Sequence, residues 1–306
     1  MTNLRKIGLT ALAGTLAATT AHAGDLTVTG TATMEYQSTQ NTINDNTDSF
    51  SQNGTIVFSG SGELDNGMGV SFMQALSEGS LTSQSVALDM GDMGTLSVAS
   101  LNMAGIGTIQ DMVPNAGEQP WDDLGTHGAP EQGVAAPHSG NRLGYSVSVG
   151  GATVSAAMDY QQNSPTTSAA VQLPGLVEGF NIGAGIAVDQ ESATLENDIE
   201  TYFISYAVGP ISVGAQQTKV DHQTANSDIE RDSYGITFAV NENLSIGYGV
   251  SDTEFDALAL DEENTGIQAS YTSGGMTVGV VNNTKDNSNG ANTDLEMTEL
   301  KLTFAF

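Results

Sequence analysis

The chain has 306 residues, with 36 Asp plus Glu against 7 Lys plus Arg, for a formal charge of −29. A surface this acidic repels phosphate backbones and excludes nucleic acid as a partner. Cys is absent, which removes disulfide frameworks, thiolate metal sites and Cys nucleophiles. No apolar run reaches the roughly 18 residues of a membrane-spanning helix.

Residues 1–23 carry a basic start at Arg5 and Lys6, a mostly apolar stretch from Ile7 to Ala18, and the small-x-small sequence Ala21-His22-Ala23. That is the pattern of a removable signal peptide, so the chain is expected to leave the cytoplasm and to begin at Gly24 once processed. The 283 residues from Gly24 to Phe306 are expected to form a single domain; they keep all 36 acids and only 5 bases, a net of −31.

Beyond the leader the recurring pattern is strict alternation, the signature of a strand with two unlike faces. Ile182, Ala184, Ile186 and Val188 alternate with Gly183, Gly185, Ala187 and Asp189. Tyr202, Ile204, Tyr206 and Val208 behave alike, as do Tyr234, Ile236, Phe238 and Val240, and Leu244, Ile246, Tyr248 and Val250. One face is aliphatic or aromatic, and the other is small and polar. Short turn sequences recur near 65–67, 91–93, 150–151, 178–179, 209–210, 241–243 and 274–275. Longer polar connections are expected near 38–52, 78–80, 102–139, 163–167, 191–197, 221–228, 255–263 and 286–293. Short and long connections in alternation predict an all-β, antiparallel up-and-down transmembrane barrel of about sixteen strands.

The chain stops at Leu300-Lys301-Leu302-Thr303-Phe304-Ala305-Phe306, with Leu300, Leu302, Phe304 and Phe306 on one face. Together with the opening Asp25–Gly30 strand, the Gly94–Val98 strand before one outsized loop, and the loop exit Asn141-Arg142-Leu143-Gly144-Tyr145-Ser146, this ending resembles the Gram-negative general diffusion porin family. The resemblance covers the whole processed chain in order. It implies a trimer of sixteen-stranded barrels in the outer membrane, with a third loop that folds inward and narrows the pore. It also implies that Phe304 and Phe306 signal to the barrel assembly machinery, and that lipid and lipopolysaccharide surround the molecule.

Residues 102–139 are the longest stretch without alternation, and they hold four of the seven Pro and the only Trp, Trp121. A loop this long is functional or disordered, and Trp121 with the prolines favours a packed one. Its acids Asp111, Glu118, Asp122, Asp123 and Glu131 are the expected pore-constriction residues. By the resemblance, the opposing wall should carry a cluster of bases. Here Gly24 to Asn141 contains no Lys or Arg, and Arg142 is the single nearby positive charge expected. Selectivity follows the sign of the ring at the constriction, so the expected function is passive diffusion of small hydrophilic solutes with a preference for cations.

No cofactor is expected. His127 and His138 lie among carboxylates in the loop but lack metal-ligand spacing. Acidic runs at Asp45-Asn46-Thr47-Asp48 and Asp261-Glu262-Glu263-Asn264 suggest at most weak Ca²⁺ binding, since they lack the spaced acid-and-glycine pattern of a dedicated loop. Nucleophile-elbow, P-loop and zinc-protease motifs are missing, and no His after residue 23 falls in an expected strand, so an enzyme is not expected. The alternative function is a secreted acidic β-rich adhesin or calcium-binding structural protein, which would show a short fixed repeat; none is found. A sugar-specific channel would need an aromatic ladder, and the Tyr residues fall mostly on the apolar phase.

Overall fold

Alternation of apolar and small polar residues gives β-ladders, and in the computed structural model these close on themselves. The structure describes residues 26–41, 47–100, 103–122, 124, 141–159, 165–192 and 195–306. The signal segment, Asp45, Asn46, Asp123, His127, Glu131 and His138 lie outside them. Among the described residues sixteen strands follow in order: β1 (Thr27–Asn41), β2 (Thr47–Glu63), β3 (Gly69–Ser77), β4 (Ser80–Asp89), β5 (Thr95–Ala99), β6 (Arg142–Val149), β7 (Ala152–Asp159) and β8 (Thr166–Pro174) make the first half. The second half is β9 (Phe180–Ser192), β10 (Leu195–Val208), β11 (Ile211–His222), β12 (Ile229–Ala239), β13 (Leu244–Phe255), β14 (Glu262–Ser273), β15 (Met276–Asp286) and β16 (Leu295–Ala305).

Each strand pairs antiparallel with the next, and β16 returns to β1 to complete a closed barrel. Closure leaves no sheet edge, which is what a β-structure needs where no water can satisfy its backbone. The seam is sealed at its end by Phe306, whose N–H donates to the Gly30 carbonyl at 2.8 Å while its own carbonyl accepts from Gly30 at 3.2 Å.

The direction of the faces separates a membrane barrel from a soluble one. Tyr202, Ile204, Ile236, Phe238, Ile246, Tyr248 and Leu300 are exposed on the outside. Thr201, Ser233 and Ser251 on the same strands, and Asn264 and Gln268 on β14, are buried inside. Large apolar groups outward and polar groups inward is the lipid-facing arrangement. The closed ladder is likewise no solenoid.

At the end that holds Phe306 the connections are tight, as at Gly150-Gly151, where both residues take positive φ (60° and 86°) that a side chain would resist. At the opposite end several strands run further than their polar composition suggests. β1 extends to Asn41, β2 begins at Thr47, β9 reaches Ser192 and β10 begins at Leu195. The expected loop at 78–80 is a two-residue turn, with Glu78 and Gly79 both at positive φ. Apolar alternation stops where lipid stops, but ladder hydrogen bonds continue beyond it. For the same reason β14 takes in Glu262, Glu263 and Asn264, and His222 closes β11 rather than lying in a loop.

Candidate pore constriction

The segment between β5 and β6 enters the barrel and lies along its inner wall. A short 3-10 turn at Gly105–Ile109 starts it. Ile106 and Ile109 pack there against Ala170, Ala187, Ile199, Phe203 and Val220, with Met112 alongside, so the barrel holds a small apolar core between loop and wall. Leu124 makes a second contact with Val281 and Met297 on β15 and β16. Trp121, only 2% exposed, is packed away rather than set in a water-lined ladder.

Polar side chains of the wall hold the loop backbone in turn. On β7, the Ser155 hydroxyl donates to the Gly105 carbonyl at 3.2 Å. On β8, Ser168 accepts the Ile106 N–H at 3.2 Å and the Gln172 amide donates to the Thr108 carbonyl at 2.8 Å. The Gln216 amide of β11 works at both ends, donating to the Ile109 carbonyl at 2.8 Å and accepting the Met112 N–H at 3.0 Å. Gln268 on β14 accepts the Ala116 N–H at 2.8 Å. These bonds fix the loop's height, each contributing about 0.5–1.5 kcal/mol.

Glycine clears the track beneath it. A Cβ on Gly185 would stand 2.8 Å from the Ile109 side chain, one on Gly214 2.6 Å from the Pro114 Cδ, and one on Gly249 2.9 Å from the Pro120 Cδ. Gly235 and Gly266 lie under Val113–Pro114 and Pro120 in the same way. These positions are on β9, β11, β12, β13 and β14, so the groove is moulded by every lumen-facing strand it crosses there but β10. There the wall presents Ile199 and Phe203 instead.

The expected constriction acids part company. Asp111 and Asp122 are exposed on the free side of the loop. The Gln119 amide joins them, its side chain donating to Asp111 and its backbone N–H donating to Asp122 Oδ2 at 2.9 Å. Crowding by the loop raises the Asp111 pKa above its usual 3.8, the Gln119 hydrogen bond opposes this, and the charge of Asp122 adds to the rise. Glu118 instead turns to the wall, where its Oε2 accepts from the Lys301 ammonium of β16 at 3.0 Å. Arg142 sits half-buried beside outward Leu143 and Tyr145, and Asp159 of β7 is its electrostatic neighbour. The expectation of a single nearby base is corrected: Lys301 is a second, and it is the one that holds an acid of the loop. An alternating strand carried it there, since lumen-facing Glu299, Lys301 and Thr303 interleave with outward Leu300, Leu302 and Phe304.

The other three bases after residue 23 lie beside carboxylates. Beyond Arg142 and Lys301, Lys219 meets Glu230 at 2.8 Å, while Arg231 and Lys285 share Glu262 at 3.9 and 3.5 Å. Glu262 is thus committed to two bases inside the barrel. Across the lumen, the register from Thr33 through β2, β3 and β4 turns Ser51, Thr55, Ser59, Ser71 and Ser85 inward. That wall is hydroxyl-rich and, over β1 to β5, contains no Lys or Arg.

A family model described as Gram-negative porin matches residues 8–252. No curated protein matches the chain. Among solved structures, a triple mutant of the Rhodopseudomonas blastica porin superposes with a TM-score of 0.69 at 14% identity, covering 92% of this chain and 100% of that one. A porin refined at 1.8 Å gives 0.67 at 16% identity over 92% and 100%. A loop-deletion mutant of OmpT, an outer membrane protein of Vibrio cholerae, gives 0.66 at 12% over 92% and 99%. The structural likeness carries the fold, the family model carries the kinship, and the inward-folded loop of a water-filled barrel fits both: the chain belongs to the Gram-negative porin family, as a diffusion channel of the outer membrane.

Proposed function

We propose that this porin passes small hydrophilic solutes and prefers cations, and that Asp111, Asp122 and, with them, Asp123 and Glu131 set that preference at the constriction. The observation that carries the reading is that Lys219, Arg231, Lys285 and Lys301 lie within ion-pair distance of carboxylates, and Arg142 has Asp159 as its electrostatic neighbour, while Asp111 and Asp122 stay exposed. A pore with acids on its loop, a base-free wall opposite and its own bases set beside carboxylates has a negative potential along its length. Glu118 contributes less, because Lys301 offsets it, and Arg142 is offset by Asp159.

The molecule works as a homotrimer in this reading, through apolar outer faces near the two chain ends such as Val28, Met34 and Ile56, which are exposed in the single barrel. It reaches the membrane after loss of residues 1–23, with Phe304 and Phe306 offered to the assembly machinery and lipopolysaccharide around the rim. Planar-bilayer recording under a KCl gradient tests the central claim. A reversal potential of cation-selective sign is expected, and one of anion-selective sign overturns it.

A further inference from the structure

The last lumen-facing base of the chain stands where three things meet: the constriction loop, the last strand and the first. Lys301 Nζ is 2.7 Å from Glu299 Oε1, 3.0 Å from Glu118 Oε2 and 3.8 Å from Glu35 Oε2. Glu299 is on its own strand, Glu118 on the loop, and Glu35 directly opposite on β1, where Glu35 and Lys301 are register partners. One ammonium is therefore shared by three carboxylates, leaving the group with a net charge of −2. The chain from the last hydrogen bond on β14, at Ala116, passes through Glu118 to this cluster, so the loop spans the inner wall from β7 to the seam where β16 meets β1.

We propose that Lys301 is the selectivity-determining and positioning residue of this pore: it ties the far part of the constriction loop to the barrel seam, and it sets how much of the cluster's negative charge permeating ions meet. The proposal rests on the cation-selective reading above. Two roles follow from one atom, and they separate by experiment. Removing Lys301 breaks the tie and takes the cluster from −2 to −3. Removing the charge of Glu118 breaks the same tie but takes the cluster from −2 to −1. The mechanical effect has the same sign in both, and the electrostatic effect has opposite signs.

The test is single-channel recording in planar bilayers under a KCl gradient with Lys301→Met, Glu118→Gln, Lys301→Arg and Glu35→Gln. Open-channel noise and brief closures are expected to rise in Lys301→Met and Glu118→Gln alike. The potassium-over-chloride permeability ratio is expected to rise about two-fold in Lys301→Met and to fall about two-fold in Glu118→Gln, as a unit charge roughly 8 Å from the ion path dictates in water once screening at about 0.1 M salt is included. Lys301→Arg should restore both readouts. Glu35→Gln leaves the tie in place, so it should lower the ratio without added noise, and it keeps the proposal testable if Lys301→Met does not assemble. Ratios that are unchanged, or that move together in Lys301→Met and Glu118→Gln, overturn the selectivity role. Unchanged noise in both overturns the positioning role. Failure of the broader reading looks different: the unmodified channel would itself lack cation preference.

Discussion

Pro114 lies against the barrel wall at Gly214, where a Cβ would stand 2.6 Å from the Pro114 Cδ. The next strand repeats the arrangement, with Gly235 under the Pro114 carbonyl and 2.6 Å, by its added Cβ, from Val113 Cγ1. No flexible side-chain end is available to give way at Gly235, because the obstacle there includes backbone. Gly214→Ala with Gly235→Ala should lift the loop from its groove at a cost of about 1–3 kcal/mol per site, narrowing the lumen. A lower single-channel conductance and a lower temperature for loss of the folded gel band are expected. Gly279→Ala, whose Cβ would meet nothing nearer than 3.8 Å, is the control and should change neither.

Phe306 closes the seam by exchanging two backbone hydrogen bonds with Gly30, and the residue is 79% exposed. Deleting it removes both bonds and the terminal apolar group, at the end of the strand that completes the barrel. The yield of folded protein in outer-membrane fractions should fall several-fold. Channels that do insert should keep their conductance and selectivity, since Phe306 is remote in direction from the lumen. Unchanged yield would remove the terminal residue from any part in assembly.

The barrel was legible because its two faces differ in chemistry along nearly every strand: Ile236 and Phe238 against Gly235 and Thr237 is a message that needs no partner to be read. The ends of strands were not, since Ser, Thr and Asn pair in a ladder above the lipid as well as they line a loop. Within the site, the packing of the loop could be inferred from Trp121 and its prolines, but its seat could not. Gln216 and Gln268 look like ordinary lumen polar residues until a loop backbone arrives, and the glycines Gly185, Gly247 and Gly249 register only as small members of an alternating pattern. Lys301 escaped notice for a different reason. It is 183 residues from Glu118, and only closure of the barrel brings the last strand to the third loop.

Asp111 and Asp122 stand on the free side of the loop, bracketed by Gln119. Replacing both with Asn keeps the size and the hydrogen-bonding reach of the side chains while removing two charges from the loop inside the barrel. Cation preference should fall, and the unmodified protein's preference should weaken as salt rises, because exposed charges are screened beyond about 8–10 Å near physiological ionic strength. Reversal potentials at several KCl levels check both points. Arg142→Ala is expected to act in the other direction, raising the preference by exposing the charge of Asp159.

The acid limb of selectivity should belong to Asp111. Its side chain keeps contact with solvent, but the protein atoms crowded around it desolvate the carboxylate and raise its pKa, the Gln119 donor pulls it back, and Asp122 adds repulsion, with the balance above the usual aspartate value of 3.8. As pH falls from neutrality, Asp111 therefore takes up its proton before an ordinary exposed aspartate does, and the first loss of cation preference should come above the usual aspartate value. Asp111→Asn should abolish that early fall while leaving the later one, from the remaining acids. The same shift has a sign for stability. A carboxyl whose folded pKa is raised binds more proton in the folded than in the unfolded state between the two values, so its contribution is fully present below the unfolded pKa and is lost as pH rises through the folded one. Asp111→Asn should accordingly make the folded barrel less sensitive to a rise in pH across that window, measured as the denaturant midpoint at pH values on either side. A fall in cation preference that begins at the same pH in Asp111→Asn and in the unmodified channel would assign the titration to another carboxylate.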